Sequence, residues 1–250
     1  MSAPTPLERA RALVGRLHTA VAAGDLAAES TELERLRGRL LALRGDAPDG
    51  DRRLLISEEQ LAELHLSEDS EAVLEAFGRA LAIALHGAKT RGDFDACAEL
   101  LGDFEALHSV RLDSPSVRAW RAKGLVEALH VARGVGNLAQ RDAWLDELRR
   151  LTANAGEAPV REEMAWGLAN TLYQLAGEPG AASRRALLLR ELEELSAAHP
   201  GQVMLGAIAL VGRIAVRPDE RSALLERLGR LAAEHPDEAM LVALARQHGA

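Results

Sequence analysis

Apolar residues return at intervals of three, four and seven along most of this chain, the spacing that gathers them on one face of an α-helix. The pattern opens at Thr5-Pro6-Leu7-Glu8. A capping hydroxyl, a proline suited to the first helical position and an acid three residues after the cap predict a helix running to about Ala23. Gly24-Asp25 supplies a turn, and a second helix spans roughly Leu26 to Leu43, so the two form an antiparallel hairpin. Residues 44–53 hold Gly45, Pro48 and Gly50 among charges with no apolar period, and read as an exposed linker. A short helix is expected from Ser57, with Gln60 at capping-box spacing, and a longer one after Ser70. These signals divide the chain into an N-terminal helix pair (1–43), a linker with a short helix (44–69) and a main array (70–250).

Within that order lies a repeat. Leu, a small or β-branched residue and a second apolar residue recur as Leu13-Val14…Leu17, Leu81-Ala82…Leu85, Leu125-Val126…Leu129, Leu168-Ala169…Leu172 and Leu210-Val211…Ile214, at spacings of 68, 44, 43 and 42. A partner position in each second helix, Leu36, Phe104, Leu148, Leu192 and Leu228, follows at 68, 44, 44 and 36. The turns Gly24-Asp25, Gly92-Asp93, Gly136-Asn137 and Pro179-Gly180 precede the second helices, and a shorter turn at Arg217-Pro218-Asp219 precedes the last. The matching ends Ala198-His199-Pro200 and Glu234-His235-Pro236 stop helices, because proline cannot continue one. Five helix pairs followed by a terminal capping helix through Leu241 and Leu244 account for most of the chain. A period of about 20 to 50 residues signals stacked units, each too small to bury its own apolar face.

Composition supports this all-α reading. Of 250 residues, 48% are hydrophobic and 27% charged, a globular mixture rich in the helix formers Ala, Leu, Arg and Glu and poor in β-formers. The net charge of −8 argues against non-specific nucleic-acid binding, which depends on cations neutralising phosphates. Lysine occurs only as Lys89 and Lys123; the arginine bias reads as a GC-rich bacterial genome rather than as a function. The lone Cys97 has no disulfide partner in the chain and sits at a core position. No signal-peptide pattern and no apolar run of about 18 residues is present, so a cytoplasmic location is expected, with no membrane contact.

Trp166, Leu168, Ala169 and Leu172, followed by Pro200, resemble the tetratricopeptide pattern of a bulky residue, Leu, a small residue, an apolar residue and a closing proline. The resemblance implies a right-handed α-solenoid whose first helices line a concave groove for an extended or helical peptide. Two departures stand against it. The unit exceeds the family's ~34 residues by about one turn per helix, and the Gly-x-x-Tyr portion is missing. HEAT-like repeats or an irregular helical bundle stay open.

On the first helices, two rows fall at matching positions: Arg11, Arg79, Lys123 and Trp166, then His18, His86, His130 and Tyr173 seven residues later. Trp120, Glu127, Asn170 and Gln174 lie close by in sequence. The ten candidate peptide-binding residues are therefore Arg79, His86, Trp120, Lys123, Glu127, His130, Trp166, Asn170, Tyr173 and Gln174. Cations suit acidic side chains or a free C-terminus, Asn can pair with a peptide backbone, and aromatics add apolar area. Packing within or between repeats is the competing role for each aromatic.

A metal site on the histidine row is disfavoured, because helix axes ~8–10 Å apart separate the rings too far for shared ligation at 2.0–2.1 Å. Next to prolines, His199 and His235 are expected to close helix C-termini. Gly134-Val135-Gly136 lacks the strand and third glycine of a dinucleotide fingerprint. Asp46, Asp49 and Asp51 lack calcium-loop spacing, and the two Arg-Gly-Asp tripeptides read as turns. The expectation is a non-catalytic interaction protein with no cofactor and no metal, binding a peptide or helix of a protein partner. The alternatives are a homodimer burying Leu241 and Leu244 or the first helix, and an enzyme using His86 or His130 with Glu127.

Overall fold

The computed structural model describes residues 4–44, 70–111, 114–134, 136–154, 156–178 and 180–250. The short helix expected from Ser57 lies outside them. Eleven α-helices and one 3₁₀ turn make up the described structure, which has no strand. They are α1 (Pro6–Ala23), α2 (Leu26–Arg44), α3 (Ser70–Arg91), α4 (Phe94–Val110), α5 (Pro115–Gly134), α6 (Leu138–Ala153), α7 (Ala158–Leu175), α8 (Ala182–Ala198), α9 (Val203–Val216), α10 (Arg221–Glu234) and α11 (Ala239–His248), with the 3₁₀ turn at Pro218–Glu220.

Local chemistry accounts for where these helices start and stop. At the head of α1, Thr5 Oγ1 accepts the Glu8 amide at 3.2 Å while Glu8 Oε2 accepts the Thr5 amide at 2.8 Å, a reciprocal cap. Gly24 then takes a left-handed φ of 68°, letting Gly24 N and Asp25 N donate to Val21 and Ala20 carbonyls at 3.1 and 3.0 Å. Asp25 Oδ1 accepts Ala28 N at 3.0 Å and opens α2. The turn recurs at Gly92-Asp93, where Gly92 has φ 72° and Asp93 caps Ala96 N at 3.1 Å. His199 and His235 occupy the C-caps of α8 and α10.

The chain forms two compact units, Met1–Asn137 and Leu138–Ala250. In the first, α1 packs along α3 and α3 along α5, while α2 packs on α4 and α4 closes against α5. In the second, α7 is the central helix, packed against α6, α8 and α9; α9 also packs on α8 and α10, and α10 on α11. The boundary falls between α5 and α6, so the two helices of the third sequence repeat belong to different units.

Every leading and closing apolar position of the repeat is buried, as are Leu36, Phe104, Leu148, Leu192 and Leu228 in the second helices. A buried Leu or Phe contributes about 1.5–3 kcal/mol by leaving water. Cys97 is buried too. Ion pairs add a second register beside these residues. Arg37, which follows Leu36, reaches from α2 to Asp103 of α4 at 2.9 Å, the residue before Phe104. Arg149, which follows Leu148, reaches from α6 to Glu191 of α8 with two contacts at 2.8 and 2.7 Å, the residue before Leu192. The same positions thus clasp successive second helices within each unit.

Candidate functional site

In the first unit, α1, α3 and α5 leave a groove of about 670 Å³ on the first-helix side. Val21, Ala82 and Ile83 make it apolar, and His18, Arg79, His86 and Lys123 place cationic or titratable groups around it. A smaller hollow of about 480 Å³ adjoins it along α1 and α3 and shares His18, Arg79 and Ile83, while adding Arg11 and Glu75. Arg11, Arg79 and Lys123 of one row and His18 and His86 of the other therefore line adjoining hollows in this unit.

Charge in the groove is unbalanced by design of its neighbours. Among the described residues, the one carboxylate lining the larger hollow, Glu127, is engaged by Lys89 across α3 and α5. Arg91, at the far end, is held by both oxygens of the buried Glu29 at 2.9 and 3.0 Å. Arg79 is exposed and has no ion-pair partner among the described residues. An incoming carboxylate would meet this cation without displacing an internal acid.

Trp120 has two roles. Its ring lies against the α3 backbone at Gly78, where a Cβ would come 2.2 Å from Trp120 Cγ, so the indole packs between first helices. The half-buried side chain also lines the groove. His130, half-buried one turn beyond Glu127, lies outside the lining. Of the ten candidates, Arg79, His86, Trp120, Lys123 and Glu127 are thus brought to one surface.

Trp166, Asn170, Tyr173 and Gln174 belong to α7 in the second unit. Trp166, Asn170 and Gln174 are half-buried, and Tyr173 is exposed. The Tyr173 ring faces His248 of α11 with centroids 6.3 Å apart and planes tilted by 33°. Burial pushes the Tyr173 hydroxyl above its usual range against the pull of Arg221. Burial and Arg221 both hold His248 below its usual range. Tyr173 thus has an internal aromatic neighbour that the sequence spacing did not reveal.

Among the described residues, no three His, Cys, Asp or Glu side chains converge to hold a metal ion, and no helix is long and apolar enough to cross a membrane. Lys89, Glu29 and Gly78 escape a sequence reading because their partners are 38 or more positions away in the chain; the only local signal is a glycine in mid-helix, where Ala would be favoured. No protein-family model, curated protein or solved structure matches this chain.

Proposed function

We propose that this chain is a non-catalytic interaction module, a tetratricopeptide-like right-handed α-solenoid that binds a peptide or helix of a partner protein on its first-helix face. The groove over α1, α3 and α5 carries the reading: apolar at Val21, Ala82 and Ile83, edged by Arg79 and Lys123, with Glu127 already neutralised by Lys89. A peptide with an apolar residue next to an acidic side chain or a terminal carboxylate fits both features. Open access to the groove and an engaged Glu127 favour binding over acid–base chemistry, which needs a free partner within ~2.6–3.2 Å. The homodimer alternative calls on Leu241 and Leu244, which are 0% and 6% exposed inside their own unit.

The test is selection of random displayed peptides on the purified protein, followed by titration against variants. Recovered peptides should carry carboxylates, and Arg79→Ala with Lys123→Ala should weaken them at least tenfold while far-UV circular dichroism stays unchanged. Undiminished affinity in that double variant would remove the groove from the function.

A further inference from the structure

The second unit has its own open surface, where the second helices α8 and α10 flank the first helix α9. Between α8 and α10, above α9, lies a trough of about 640 Å³, within the range of ligand-binding clefts. Each helix contributes one continuous stripe: Glu193, Ser196 and Ala197 from α8; Gly206, Ala209, Leu210 and Arg213 from α9; Arg227, Arg230, Leu231 and Glu234 from α10. Spacings of three and four keep each stripe on one helical face; those of α9 and α10 span seven residues, about 10 Å at 1.5 Å per residue, and that of α8 spans four, about 6 Å. The trough therefore runs for two turns along α9 and α10 and for one along α8.

Its position is where the clasp between second helices stays open. In the register that pairs Arg37 with Asp103 and Arg149 with Glu191, the next pair would be Glu193, after Leu192, and Arg227, before Leu228. Glu193 turns instead to Arg213 of α9, with Nε at 3.3 Å, and Arg213 also lies 3.5 Å from Glu220. Arg227 has no ion-pair partner among the described residues, and it lines the trough. The floor is bare: a Cβ built on Gly206 meets only Ser196 Oγ, at 4.0 Å. The last repeat spacing, 36 rather than 44, brings in α10 through a short 3₁₀ turn.

We infer that this trough docks an amphipathic α-helix of a partner protein, small or apolar along the face that meets Gly206, Ala209, Leu210 and Leu231, with a carboxylate where it meets Arg227. Stripes of two turns on α9 and α10, beside one turn on α8, offer grooves for the ridges of a fourth helix, and small floor residues let its backbone approach closely. An Arg227 ion pair with the incoming helix would complete the register that the chain leaves unmade. This surface is separate from the first-helix groove and does not depend on its role.

The test uses the full-length protein with Arg79→Ala and Lys123→Ala, so that groove binders drop out, and a displayed library of three-turn helical peptides. Recovered helices should carry apolar residues at spacings of three, four and seven beside a Glu or Asp. Gly206→Leu, which fills open space, should leave the melting temperature unlowered and weaken binding at least tenfold, and Arg227→Glu should weaken it several-fold. No recovered helix, or helices indifferent to both substitutions, would overturn the inference. Self-association seen by light scattering and abolished by Gly206→Leu would also overturn it, by making a second copy the occupant.

Discussion

Second helices are clasped together in the first unit and stand apart at one place in the second. Between α2 and α4, Arg37 meets Asp103, and Phe104 is buried behind it. Between α8 and α10 the equivalent positions are Glu193 and Arg227; they do not pair, and a trough takes the place of the contact. The apolar positions beside them, Leu192 and Leu228, are both fully buried against other helices. Hydrophobic burial thus makes each helix pair cohere, whereas contact between second helices within a unit depends on which charges face each other and on how long the connecting turn is.

The sharpest way to probe this difference is to add one carbon on each side. Gly78→Ala drives a Cβ into Trp120 in the tightly closed α3–α5 interface and should cost about 1–3 kcal/mol by overpacking. Gly206→Ala places the same carbon in the open trough and should add about 0.5–1 kcal/mol through helix propensity. Urea unfolding of the two variants reads both signs, and equal losses would mean that the trough is closed in solution.

A smaller effect separates the clasps. Arg37→Ala and Arg149→Ala should each lose about 0.5–1 kcal/mol, the scale of partly exposed ion pairs, with a weaker loss at high salt. Arg227→Ala should fall within ±0.5 kcal/mol, as expected for a surface substitution that breaks no contact. A loss at Arg227 equal to that at Arg149 would show that the third clasp forms after all.

The smallest expected effect is a pH dependence common to both units. Burial opposes the charge on Glu71, but hydrogen bonds from Ser114 Oγ at 2.6 Å and Ser116 N at 3.1 Å hold its carboxyl below the usual range. Asp142 is likewise disfavoured by burial and held down by Arg184 and Arg141. Carboxyls lowered on folding contribute stability that is in place above their unfolded pKa, about 4, and is lost as pH falls through the folded values. Stability should therefore decline in acid below about pH 4, and Glu71→Gln should flatten that decline. An unchanged slope in the variant would remove Glu71 as a source.

Much of the helical layout was written in short-range patterns. The Thr5 cap, the Gly24 and Gly92 reversals and the buried ranks led by Leu13, Leu81, Leu125, Leu168 and Leu210 all depend on neighbours within a turn or on period alone. The site was legible only in part. Matching positions put Arg79, His86 and Lys123 in two rows, with Trp120 and Glu127 near them in sequence, and these five line one groove. Spacing could not reveal that Lys89 neutralises Glu127, that Tyr173 faces His248, or that Trp120 leans on Gly78.

By itself, then, the amino-acid order determined the helices, their turns and which side of each is apolar, because those depend on backbone geometry and burial within a few residues. Tertiary structure alone decided that the third repeat is divided at Asn137, that Glu193 pairs with Arg213 rather than Arg227, and that a trough opens over Gly206. Those outcomes follow from competition among side chains far apart in the chain, where a turn of different length redirects a whole helix and leaves its charges to find other partners.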